Sequence, residues 1–213
     1  MGRGSSGAGR NLGKVSGGVN PANIVNERDL VSERERKQQA VDSVLTAARY
    51  IDEEYGVGVS KYIIADFAGK DTSTLACTDG NMVVFNNTYF DEEKMADAYD
   101  ACVESGFHPS RGNKSGIEAV ASHEDAHVLV AEAGKKLGMT GYTIPAASDK
   151  IVRMAMKATG YRNFKEFSGK ISGYAKTNAS ECVAEAFADV YCNGSKASKE
   201  SQAVVNELNN ILK

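Results

Sequence analysis

A chain of 213 residues, 42% of them hydrophobic, is long enough to bury a sizeable core as one domain with appendages. Its 25 Lys+Arg against 28 Asp+Glu leave a formal charge of −3, which gives no whole-chain case for nucleic-acid binding. No apolar run approaches a membrane span, no hydrophobic leader opens the chain, and Cys77, Cys102, Cys182 and Cys192 lack paired CxxC spacing; the expectation is a reduced, cytoplasmic protein without a four-cysteine metal site.

Residues 1–20 are rich in Gly and Ser, carry Arg3, Arg10 and Lys14, and contain no acidic residue. Such a segment cannot build a core and is expected to be a disordered tail, leaving 21–213 as a single domain. It reads as a plain flexible leader or as an arm touching an acidic partner. Residues 27–55 read as a long helix, charged in its first half, with Val41, Val44, Leu45, Ala48, Ile51 and Tyr55 at helical spacing in its second. Val59–Phe67 and Thr74–Thr78 are β-rich, and Asp79-Gly80 turns the chain into a further strand over Asn81–Phe85. The pattern does not say which strand forms the edge. A helix over Asp91–Ser105 stops at Gly106, and a loop with His108, Pro109, Gly112 and Asn113 follows.

The next helix carries the densest chemistry. Ser115 and Glu118 form a capping box, Ile117, Val120, Ala121, Leu129, Val130 and Ala133 supply an apolar stripe, and Lys135, Lys136 and Gly138 suit its end. His123-Glu124-Asp125-Ala126-His127 lies in its middle and uses two of the chain's three histidines. Positions i and i+4 share a helix face, so both imidazoles can bind one metal ion while Glu124 reaches a metal-bound water. This is the H-E-x-x-H pattern of zinc peptidases, with Glu124 as general base; the bland alternative is an ordinary helix that happens to fit it.

A catalytic zinc site needs a third protein ligand. His108 is one candidate, although its loop setting favours a packing or surface role. Segments 147–159 and 163–173 look helical, and beyond them Glu181, Glu185 and Asp189 fall at successive i+4 positions. Cys182, Val183, Ala186, Phe187 and Val190 surround that stripe with apolar surface, so its carboxylates are drawn towards a core where a metal or charged partner is needed. Cys182 points about 100° away from Glu181 and reads as packing. Glu181 is also the N3 residue of a second capping box begun by Asn178, which leaves ligand and cap as alternatives. Asp189 either joins the support of the metal site or faces water. Tyr174, just before this helix, is either an oxyanion donor or one buried tyrosine among nine. From Ser198 the chain closes with an amphipathic helix bearing Val204, Val205, Leu208, Ile211 and Leu212.

His-Glu-x-x-His paired with Tyr174, Thr177, Asn178, Glu181, Ala184, Glu185, Ala186 and Phe187 at their spacing resembles the anthrax lethal factor catalytic domain and related gluzincin metallopeptidases, modules also found in phage proteins and toxins. The resemblance covers roughly residues 114–138 and 170–192. It departs in Asp125-Ala126, where relatives often carry a glycine, and in the long interval between motifs (181 − 127 = 54 residues), which suggests an inserted helix. It implies a mixed α+β, zincin-like fold with a small twisted sheet and a H-E-x-x-H helix packed on further helices. It also implies a Zn2+ cofactor held by His123, His127 and Glu181, with Glu185 supporting a liganding imidazole and the Tyr174 hydroxyl in the active site. The implied activity is hydrolysis of a protein or peptide held against an exposed strand; virion or toxin-delivery association comes with the resemblance too. The alternative is a non-catalytic binding protein that retains the fold and a structural zinc.

Overall fold

The computed structural model describes residues 27–141 and 144–213; the Gly/Ser-rich segment 1–20 lies outside them. Helix α1 (Glu27–Tyr55) opens the described chain, and its buried stripe is Ala40, Val44, Ala47 and Ile51. The face is turned by about one residue from the expected one: Val41 is 36% exposed and Leu45 48%. The small Ala40 and Ala47 let the helix sit close to its neighbours, and that packing, rather than side-chain size alone, fixes which face turns inwards.

Three short strands follow: β1 (Lys61–Ala65), β2 (Ala76–Asp79) and β3 (Met82–Asn86). β3 is central, with β2 antiparallel on one side and β1 parallel on the other, in register Lys61↔Met82 and Ala76↔Phe85. The hairpin falls where Asp79-Gly80 predicts it, Gly80 taking φ 61°, a value that glycine adopts without Cβ strain. β1 is shorter than the expected 59–67 at both ends, and Val59, just before it, packs half-buried against both apolar clusters.

Helix α2 (Glu92–Glu104) is capped by Asp91, which accepts from the Glu93 and Lys94 N–H groups. Helix α3 (Gly116–Lys136) begins with both halves of the Ser115/Glu118 capping box. Its first residue must be small: a Cβ on Gly116 would stand 2.8 Å from the α2 backbone at Met95 and Ala96. Helix α4 (Ile144–Thr159) starts three residues before the expected 147. The expected helix over 163–173 shrinks to α5 (Phe164–Ser168), capped by Asn163, and a 3-10 turn over Tyr174–Lys176 leads towards helix α6 (Ala179–Asn193). Helix α7 (Lys199–Leu212) is capped by Ser198.

The described architecture is therefore mixed α+β, with seven α-helices and one small three-stranded mixed sheet. α3 runs through its centre and serves two apolar clusters. Its first half, through Ile117, Val120 and Ala121, meets Val44 of α1, Val83 and Phe85 of the sheet, and Met95 of α2. Its second half, through Leu129, Val130 and Ala133, meets Ile151 of α4, Val183 and Phe187 of α6, and Leu208 of α7. The polar residues of α3 sit where these clusters meet. No described helix is long and apolar enough to cross a membrane.

Candidate metal centre

α3 and α6 pack along much of their length, and the seam between them is polar. One helical turn apart, His123 and His127 present their Nε2 atoms to α6, whose first turn offers Glu181. Glu181 Oε2 lies 3.2 Å from His123 Nε2 and 3.7 Å from His127 Nε2. The three ligand atoms fall within 4.8 Å of one another, and all three residues are buried. Ligands on a tetrahedral ion with bonds of about 2.0–2.1 Å stand about 3.3 Å apart, so this spacing fits one small divalent cation. Two imidazoles and one carboxylate also leave a coordination position free, as a catalytic ion requires.

The second-capping-box alternative for Glu181 is resolved by a division of labour. Asn178 accepts from the Glu181 N–H at 3.0 Å, so the cap is real. The Glu181 carboxylate does not return to the backbone but turns to the imidazoles. Burial pushes that carboxyl up, yet hydrogen bonds and charges from His123 and His127 outweigh it and hold it well below the usual carboxylate range. Burial pulls His123 down, and contacts with Glu181 and Glu185 reverse this and raise it well above an ordinary histidine.

Glu185, one turn further along α6, is the hub behind His123. Its Oε1 lies 2.9 Å from His123 Nδ1, off the ideal line for a hydrogen bond, and 2.9 Å from His108 Nδ1. Its Oε2 accepts from the Ser172 hydroxyl at 2.7 Å. Burial would raise this carboxyl; the two imidazoles overcome that and hold it low. His108 is therefore neither a ligand nor simple loop packing. Its ring stacks on Tyr99 at 5.1 Å, and its loop pairs with the Tyr174 turn through Gly173 N to Gly106 O and Tyr174 N to Phe107 O. The Nδ1 atoms of both His123 and His127 are buried without a well-aligned hydrogen bond among the described residues; what sets His123 apart is the Glu185 carboxylate beside it.

Glu124 lies beside the ligands, 7% exposed, and the hydroxyl of Thr78 on β2 stands 2.7 Å from its Oε2. Tyr174 stacks on His123 with ring centroids 5.9 Å apart. Its hydroxyl is buried and makes no hydrogen bond to any described group. Burial, then the charges of Glu181, Glu124 and Glu185, push its ionisation far up, so it remains a proton-bearing donor.

Asp189, the last member of the predicted acidic stripe, does not join the group. It is buried, and its oxygens accept from Asn193 Nδ2 at 2.9 Å and from the Ser198 N–H at 3.0 Å. It clamps the junction of α6 and α7, so neither support of the metal site nor solvation describes it. Cys182 is packing, as its angle predicts: it is fully buried in the apolar cluster, and burial raises its thiol to about 12. Asp125 is fully buried on the sheet side of α3, where the Tyr62 hydroxyl of β1 donates to it at 2.9 Å.

Thr78, Ser172 and the role of His108 are not visible in the motifs. The scarcity of histidine is the only sequence signal that marks any of them. In comparisons with known proteins, the chain matches no family model, no curated protein and no solved structure.

Proposed function

We propose that this protein is a zinc-dependent metalloendopeptidase of zincin-like architecture, in keeping with its resemblance to gluzincins. The observation that carries the reading is the convergence of His123, His127 and Glu181 on one point beside a buried glutamate, within a seam between two helices. Two histidines and a carboxylate match the ligand set of water-activating zinc enzymes better than that of closed structural sites, which favour cysteine.

A zinc ion bound there would supply Lewis acidity towards a scissile carbonyl and towards water. The remaining work falls to the chain's own groups. Glu124 takes a proton from the attacking water and delivers it to the leaving amine. Tyr174 donates its hydroxyl proton in a hydrogen bond to the oxyanion that develops on the carbonyl. Glu185 holds His123 by its far nitrogen, and His108 and Ser172 in turn hold Glu185.

Substrate would lie along β2. Asn86 N–H donates to Leu75 O, so the antiparallel alternation directs Leu75, Cys77 and Asp79 at β3 and turns the main-chain groups of Ala76 and Thr78 to the other side. β2 is an edge strand; Ala76 is buried, so the half-buried Thr78 is the residue whose main-chain groups are suited to pair with an extended peptide, with little demand on its sequence.

Metal analysis of the purified protein, combined with cleavage of a peptide library, tests the reading. One zinc per chain is expected, and Glu124→Gln should keep it while lowering turnover by about 10²–10⁴-fold. Zinc without cleavage of any peptide would favour a binding protein with a structural metal. A full zinc complement in the His123→Ala/His127→Ala double variant would sink the site itself.

A further inference from the structure

The general base of the proposed reaction has a partner that no motif announces. Thr78 is the third residue of β2, and its side chain points to α3 from the same sheet face as buried Ala76. Its hydroxyl oxygen lies 2.7 Å from Glu124 Oε2 and 2.9 Å from Glu124 O. A hydroxyl carries one proton, and the carboxylate is the shorter and stronger acceptor. Thr78 is half-buried and Glu124 nearly fully so, which shields the bond from water. The Thr78 main chain also faces away from β3, on the edge side of the sheet.

We infer that Thr78 is the positioning residue for Glu124: it fixes one carboxylate oxygen from the strand, leaving the other to face the reacting water, and it ties the base to the strand on which substrate would pair. The inference rests on the peptidase reading for its consequence in turnover, but its structural core does not. A glutamate side chain has three rotatable bonds, and without a second anchor its carboxylate samples several rotamers. An anchor on α3 itself would hold it only relative to the metal ligands. An anchor on β2 holds it relative to the substrate strand as well, which is the geometry proton transfer depends on.

The alternative is that Thr78 only packs β2 on α3, its hydroxyl satisfying a helix carbonyl. Full-length Thr78→Val, Thr78→Ala and Thr78→Ser variants separate the two. Each is measured for zinc content, for kcat and KM on a peptide cleaved by the unaltered protein, and for the position of Glu124 in crystals of the metal-free protein. Valine and alanine should retain one zinc per chain, release the Glu124 carboxylate from its place against β2, and lower kcat about tenfold with KM little changed, the scale of one charge-assisted hydrogen bond. Serine, which keeps the donor, should restore both the carboxylate position and most of kcat. Glu124 unmoved in valine and alanine overturns the inference, as does serine as impaired as valine. Should valine fail to fold, alanine decides by the same readings. Should the unaltered protein cleave no peptide, the peptidase reading falls, and the carboxylate position in the three variants still decides the role of Thr78.

Discussion

α6 shows two different ways of filling a protein interior, and they lie on opposite sides of one helix. Towards α3 it buries Glu181 and Glu185, whose oxygens are held by imidazoles and a serine hydroxyl. Away from the imidazoles it buries Cys182, Val183, Ala186 and Phe187 in an apolar cluster shared with α1, α4, α7 and the second half of α3. Ionised groups in the seam cost desolvation and return it only through well-placed partners, so the seam is a poor source of net stability. The apolar side is a steady one, near 25 cal/mol per Å² removed from water. The difference teaches that α6 is anchored by one face while the other gathers buried charges that only well-placed partners can offset.

Phe187→Ala would break this division most severely. Phe187 is 2% exposed and packs against Tyr50 and Tyr55 of α1, with ring centroids 6.4 and 6.0 Å away. Its loss should cost about 3–5 kcal/mol in chemical denaturation. Zinc affinity of the folded fraction, measured by competition with a chelator, should stay near that of the unaltered protein. Collapse of metal binding in that folded fraction would show that the two faces are not separable.

Glu185→Ala attacks the polar face alone. Removing the carboxylate that holds His123 Nδ1 should weaken zinc by about 10–100-fold, as loss of a group supporting a metal ligand often does. His108→Ala should weaken it less, because Ser172 still holds Glu185. Equal losses in the two variants, read by the same chelator competition, would mean that Glu185 works only when His108 holds it.

Much of the polar face was legible in the sequence because its signals are local. The capping box at Ser115, the i+4 spacing of His123 and His127, and the i+4 step from Glu181 to Glu185 all act within a turn or two of helix. The Gly80 hairpin is local for the same reason. What stayed hidden depends on pairing distant segments. His108 meets Glu185 across 77 residues and Thr78 meets Glu124 across 46, and no periodicity encodes either contact. The parallel pairing of β1 with β3 is equally non-local. Asp189 shows the converse: it continues the acidic stripe in register, but the approach of α7 gives it Ser198 as a partner in place of the histidine cluster.

Asp91 supplies the smallest and cleanest contrast, a buried carboxylate whose partners involve no imidazole. It caps α2 and accepts from Arg36 Nε at 2.7 Å, tying α1 to α2. Burial pushes its carboxyl up, but the Arg36 hydrogen bond and the Lys94 and Glu93 N–H groups prevail and hold it below the usual range. A depressed folded-state value means that the group adds stability above the unfolded aspartate value of about 3.9, and that this is lost as pH falls through the lower folded value. Asp91→Asn keeps a good cap but removes the charge, and should cost about 1 kcal/mol near neutral pH. The difference between the two proteins should shrink as pH drops below about 4, where aspartate takes up its proton. Stripping zinc should leave it unchanged, because Asp91 lies outside the α3–α6 seam. Urea melts across that pH range, with and without a chelator, check both statements: a difference that vanishes when zinc is removed would tie α2 energetically to the metal centre and erase the boundary between the polar seam and the rest of the fold.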